Sequence, residues 1–120
     1  MIKTKFVDVA TYGFRLYLCR TQDELLDVVR IDYPDESDDT EAKGKMQAWR
    51  GDKPDSVNTI AIYASSPETL AHECFHAAMS VCERIGFPVR AETDEPVAYL
   101  IGFMFNEYVK ALYPGQESWQ

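Results

Sequence analysis

The stretch TLAHECFHAA, residues 69–78, contains both histidines of the chain, His72 and His76, with Glu73 directly after the first. Ser66-Pro67-Glu68 stands just ahead of it. A serine can cap a helix through its hydroxyl, and proline suits the first helical position because its missing N–H needs no partner there. Gly86 supplies a stop and Pro88 lies just beyond it. The stretch is therefore expected to be helical from Pro67 to the neighbourhood of Gly86.

On such a helix His72 and His76 are one turn apart and share a face, so both imidazoles can reach one ion about 2 Å away. Glu73 lies about 100° round from His72, close enough to touch a metal-bound water without ligating the metal. This is the H-E-x-x-H arrangement, in which the glutamate acts as general base in zinc-dependent amide hydrolysis.

Helical projection tests the pattern independently. At about 100° per residue, Leu70, Ala71, Cys74, Phe75, Ala78, Met79, Val81, Cys82 and Ile85 fall in one wide apolar arc, and His72, Glu73 and His76 fall outside it. The core face is thus provided without the histidines, which weighs against their being packed core residues. A plain solvated polar face is the remaining structural alternative.

A catalytic zinc takes three protein ligands and leaves the fourth position to water. No histidine is left, so the third ligand must be a carboxylate or a cysteine. The longer motif H-E-x-x-H-x-x-G-x-x-H is excluded, since Met79 stands at its glycine and Cys82 at its third histidine. Glu83 shares the histidine face but lies about 10 Å further along the axis, out of reach. The link after the helix offers Glu92, Asp94 and Glu95. Glu95 is the first choice, because Ala98 and Gly102 lie on nearly the same stripe and would let the next helix approach closely. Pro96 disfavours helical dihedrals at Glu95, which points to a cap position and leaves Glu92 in reserve. A surface acid in a polar link is the bland alternative for all three.

Working outward, residues 2–10 and 14–20 read as two strands joined at Tyr12-Gly13. Phe14, Leu16 and Leu18 alternate with Arg15, Tyr17 and Cys19, the period of a half-buried strand. TQDELLDVVRI opens a helix, with Thr21 and Glu24 spaced as a capping box. The acidic run DYPDESDDTE, residues 32–41, lacks the glycine and spacing of a calcium loop and reads as a solvated loop or an acidic contact surface. Residues 44–50 and 58–64 form a second strand pair across the turn-forming GDKPDS. After RAETDEP, VAYLIGFMFNEYVKALY reads as a buried helix. The expected fold class is α+β, in the order β-β-α-β-β-α-α. A small, mostly antiparallel sheet would pack on the H-E-x-x-H helix and a glutamate-bearing helix after it.

At 120 residues the whole chain, 1–120, is expected to form one domain. A net charge of −8 argues against nucleic acid or an anionic membrane as partner, because both need basic patches. It suits a basic partner. There is no segment of signal-peptide or membrane-span character. The three cysteines offer no C-x-x-C pair, and Cys74 and Cys82 are about 12 Å apart along one helix, too far for a disulfide. Reduced, mostly buried thiols and a cytoplasmic location are expected.

The motif T-L-A-H-E-x-x-H, followed nineteen residues after His76 by EPVAYLIGFMF with its E-x-x-A pattern, resembles the paired helices of zinc metallopeptidases whose third ligand is glutamate. Within that group it is most similar to the ImmA/IrrE-type peptidases and the small H-E-x-x-H proteins of phages and prophages. The resemblance covers roughly residues 57–113. It implies a zincin-type arrangement with Zn2+ held by His72, His76 and Glu95 and with Glu73 as base. It also implies that the strand near residues 58–64 borders the cleft and could pair with an extended substrate. Phe75 departs from the glycine often found at that position, and the hairpin of residues 2–20 has no counterpart in the resemblance.

The implied reaction is hydrolysis of a peptide bond in a specific intracellular protein, with Glu73 taking a proton from a zinc-bound water. A second donor to the oxyanion is needed. Tyr99, one turn after Glu95, is the leading candidate, with Tyr63 and Arg50 behind it. The alternative from a different class is a non-catalytic acidic interaction or antagonist protein, phage-encoded by the resemblance, with a structural or vestigial zinc site.

Overall fold

The structure is a computed structural model and describes residues 3–38 and 40–113. Ile2, expected to open the first strand, and Asp39, within the acidic run, lie outside the described residues. The strands are β1 (Lys5–Val9), β2 (Phe14–Cys19), β3 (Gly44–Arg50) and β4 (Asn58–Ala64). The helices are α1 (Gln22–Val29), α2 (Pro67–Ile85) and α3 (Asp94–Leu112), with a 3-10 turn over Ala91–Thr93. The expected order of elements is found in a mixed α+β fold with one four-stranded sheet.

The sheet runs β1-β2-β4-β3. β1 and β2 are antiparallel, with Val7 opposite Leu16, and β3 and β4 are antiparallel, with Trp49 opposite Thr59. β2 and β4 are parallel, with Leu16 beside Ile60. The first hairpin turns at Gly13, whose φ of 69° is the left-handed conformation glycine adopts without steric cost.

Alternation along the strands divides the core in two. Leu16, Leu18, Ile60 and Ile62 pack with α2 and α3 on one face of the sheet. Tyr17, Cys19, Ala61 and Trp49 pack with Leu25, Val28 and Val29 of α1 on the other. The layers are α1, sheet, then α2 with α3. This corrects the reading of β2 as half-buried: Tyr17 and Cys19 are buried because α1 covers the second face. It also corrects the expectation for the strand of residues 58–64. β4 is bonded to β2 on one side and β3 on the other, so its backbone has no edge to offer a substrate.

The helix starts follow their local signals. The Thr21 hydroxyl accepts from Glu24 N at 3.1 Å, while the Glu24 carboxylate accepts from Arg20 N at 2.8 Å, one residue earlier than a capping box requires. Ser66 Oγ accepts from Thr69 N at 3.1 Å, and Gly86 closes α2 with a φ of 72°. α3 begins at Asp94, so Glu95 and Pro96 sit inside its first turn rather than ahead of it. Proline is accommodated there because first-turn N–H groups have no intrahelical partner. Among the described residues, no helix is long and apolar enough to cross a membrane.

Candidate metal site

α2 turns a stripe of Leu70, Cys74, Ala77, Ala78, Val81 and Cys82 into the core. The expected arc was set too far round. Ala71 is exposed, Phe75 and Ile85 are about half exposed, and Ala77 is fully buried in their place. Glu73, expected to lie free of the core, is also buried. The cause is β3, which crosses beside α2 at Gly44. A Cβ on Gly44 would overlap Thr69 Cγ2 and lie 3.3 Å from Glu73 Cγ. Glycine lets the strand come close enough to cover Glu73, and projection of one helix alone carries no sign of that neighbour.

His72 and His76 are both exposed on the outer face of α2. Their Nε2 atoms lie 3.1 Å apart and their ring centroids 4.7 Å apart. Two imidazoles sharing a tetrahedral ion at ordinary zinc–nitrogen lengths would hold these atoms about 3.3 Å apart. The separation is close to that of two imidazoles on one ion, and it is also that of a hydrogen bond between the two rings, one Nε2 donating and the other accepting. The Phe75 ring stands edge-on to His76, with centroids 5.8 Å apart.

Glu95 is exposed in the first turn of α3. α3 buries Val97, Leu100, Met104 and Tyr108, and Glu95 lies off that stripe, exposed. Among the described residues, however, no three His, Cys, Asp or Glu side chains come together as a metal-holding group. Asp94 is exposed, and Glu92 is exposed and faces Arg90 at 3.8 Å. The close approach expected at Ala98 and Gly102 is not there. Ala98 is exposed, and a Cβ on Gly102 would meet nothing within 4 Å. That stripe looks outward, so the helix expected to be buried is buried along one side only.

Tyr99 is 75% exposed and, together with Phe103, faces Tyr12 across a groove beside the β1–β2 turn. α3 lies over β2 and α2 over β3 and β4, so this groove is on the side of α3 away from α2. Tyr99 is not brought to the histidines. Tyr63 packs with the α1-side cluster, on the opposite face of the sheet from α2. Arg50 lies exposed at the end of β3, where its carbonyl accepts from the Tyr33 hydroxyl at 2.9 Å.

The thiols lie inside. Cys19, Cys74 and Cys82 are free and buried, and burial pushes the Cys19 and Cys74 thiols up to about 12. They are poor nucleophiles at neutral pH. Comparison with known protein families, curated proteins and solved structures finds no match to this chain.

Proposed function

We propose that the chain is a zinc-dependent peptidase of zincin type, with His72, His76 and Glu95 as metal ligands and Glu73 as the proton carrier. The observation that supports this most is the convergence of the two Nε2 atoms at 3.1 Å with Glu73 between them in sequence. A bound zinc would supply Lewis acidity to the water and to the scissile carbonyl.

The protein's own groups would divide the remaining work. In this reading His72 and His76 would hold the ion on the outer face of α2, and Glu95, which shares the Tyr99 side of α3, would complete the set only by swinging its side chain across from the first turn of that helix. Glu73, walled by β3 at Gly44, has its stem held while its carboxylate takes a proton from water and returns it to the leaving amine. Its partial burial favours proton transfer by limiting competition from bulk water. The substrate would be a protein or peptide met in the cytoplasm. β3 is the edge strand beside α2, and it would take the strand-pairing role first expected of β4.

Glu73→Gln tests the mechanism. Cleavage of a peptide substrate should be abolished while zinc, measured by elemental analysis, stays bound. Undiminished cleavage by this variant would remove Glu73 from the reaction.

A second reading is favoured by the net charge of −8 and by the tethered acidic residue Asp38. In it the protein is a non-catalytic acidic interaction module. Two acidic-run neighbours are held in place for such a role: Gln22 accepts from Ala42 N at 3.1 Å, and Lys45 pairs with Asp38. Neutralising the acids of residues 35–41 would then weaken partner binding, and Glu73→Gln would leave it intact.

A further inference from the structure

α3 exposes aromatic surface where a helix in a small domain ordinarily exposes polar groups. Tyr99 is 75% exposed and Phe103 37%, one turn apart on the same side. Across from them stand Val9 at the end of β1 and Thr11 and Tyr12 of the β1–β2 turn, leaving an open groove of about 270 Å³ with a largely apolar lining. Leu100 forms its floor. The volume is that of a large side chain with room to spare.

Charge decides what this groove can hold. At the start of α3, beside the groove, Glu92, Asp94 and Glu95 are all exposed. The chain as a whole carries −8. Two copies meeting on this face would set the same carboxylates against each other, and anionic lipid headgroups would be repelled. A basic segment carrying an apolar side chain satisfies both the lining and the surrounding charge.

We infer that the groove between α3 and the β1–β2 turn is a docking site for an extended basic peptide, which seats one leucine- or phenylalanine-like side chain between Tyr12 and Phe103. The inference rests on the peptidase reading in one respect, the direction in which the peptide continues. Packed helices lie about 8–10 Å apart, and an extended chain advances about 3.3 Å per residue. The seated side chain would therefore fall at least about two to three residues from the bond presented to His72 and His76. Such an anchor would give the enzyme specificity at a distance from the cut.

The experiment measures binding separately from cleavage. Short fluorescein-labelled peptides with a central leucine between lysines are titrated by anisotropy, beside versions with central alanine or with glutamate flanks. The leucine–lysine peptide should bind, and Phe103→Ser should weaken it on the order of tenfold. Phe103→Leu, which keeps apolar bulk, should bind as the parent does. Should Phe103→Ser prove unfolded by circular dichroism, Thr11→Lys on the exposed opposite wall repels the same peptide and gives the same reading. His76→Ala should leave binding unchanged, so peptide capture without cleavage would refute the peptidase alone. The docking site is overturned if the alanine or glutamate versions bind equally, or if neither groove variant changes affinity. It is equally overturned if sedimentation shows a dimer of this chain that Phe103→Ser dissociates.

Discussion

The Tyr108 hydroxyl lies 2.7 Å from the Cys19 carbonyl and 3.1 Å from Ala64 N, joining α3 to the C-terminal ends of β2 and β4. Donating to one strand and accepting from the other, it fastens α3 to the parallel pairing of β2 and β4. Tyr108→Phe leaves a buried N–H and a buried carbonyl without this partner. It should lower stability by about 1–3 kcal/mol, read as a shift in the urea midpoint with an unchanged slope. An unshifted midpoint would show that water replaces the hydroxyl.

Alkaline conditions should weaken the fold through the buried thiols. Cys19 and Cys74 have folded pKa values pushed up to about 12 by burial, above the ordinary thiol value. The folded state therefore holds these protons more tightly than the unfolded chain. Its advantage is fully present below the ordinary thiol value and is lost as pH climbs toward the folded one. Urea midpoints should fall as pH rises from roughly the ordinary thiol value of about 8.5–9 toward about 12, and both thiols should resist a disulfide reagent at neutral pH until the protein unfolds. Rapid labelling of the native protein at Cys19 or Cys74 would contradict their burial.

Gly44 is held to glycine by Thr69. Gly44→Ala should cost about 1–3 kcal/mol by overpacking, because its Cβ would run into Thr69 Cγ2. Thr69→Ser removes that methyl group, so the double variant should recover part of the loss. A double-mutant cycle with no coupling would show that β3 moves away from α2 instead.

Zinc should stabilise the folded chain. At a hundredfold excess over its dissociation constant, one bound ion adds about 2.7 kcal/mol, visible as a higher melting temperature. His76→Ala should abolish that rise while shifting the metal-free stability by no more than about 0.5 kcal/mol, since the side chain is exposed. Glu95→Ala should weaken the rise. If it does not, Glu92 and Asp94 become the candidates for the third ligand.

The parts of the fold that could be read in advance are those with local causes. Ser66, Pro67 and Gly86 delimit α2 through capping chemistry that operates within a turn or two, and β3 and β4 are found at their expected ends because alternation and the intervening turn formers specify them. What could not be read depends on neighbours distant in the chain. Tyr17 is buried by α1, Glu73 by β3, and β4 loses its free edge to β2. At the site, the shared face of His72 and His76 follows from helix periodicity alone. The position of Glu95 depends on how α3 is rotated against α2, and no local pattern sets that angle. Tyr99 shows the same limit: one turn from Glu95 in sequence, it faces the β1–β2 hairpin.

The side-by-side run of β2 and β4 has a kinetic consequence. The two central strands cannot find their register until residues 20–57 have been gathered between them, and closing so long a loop costs entropy before any ladder bond repays it. α2 and α3 follow β4 in the chain and need both strands as a floor. The histidine helix can coil early by itself, but its seat forms only when the middle of the sheet has closed. Severing the chain anywhere in that crossover would therefore cost the histidines their scaffold, although the break would lie far from them in sequence.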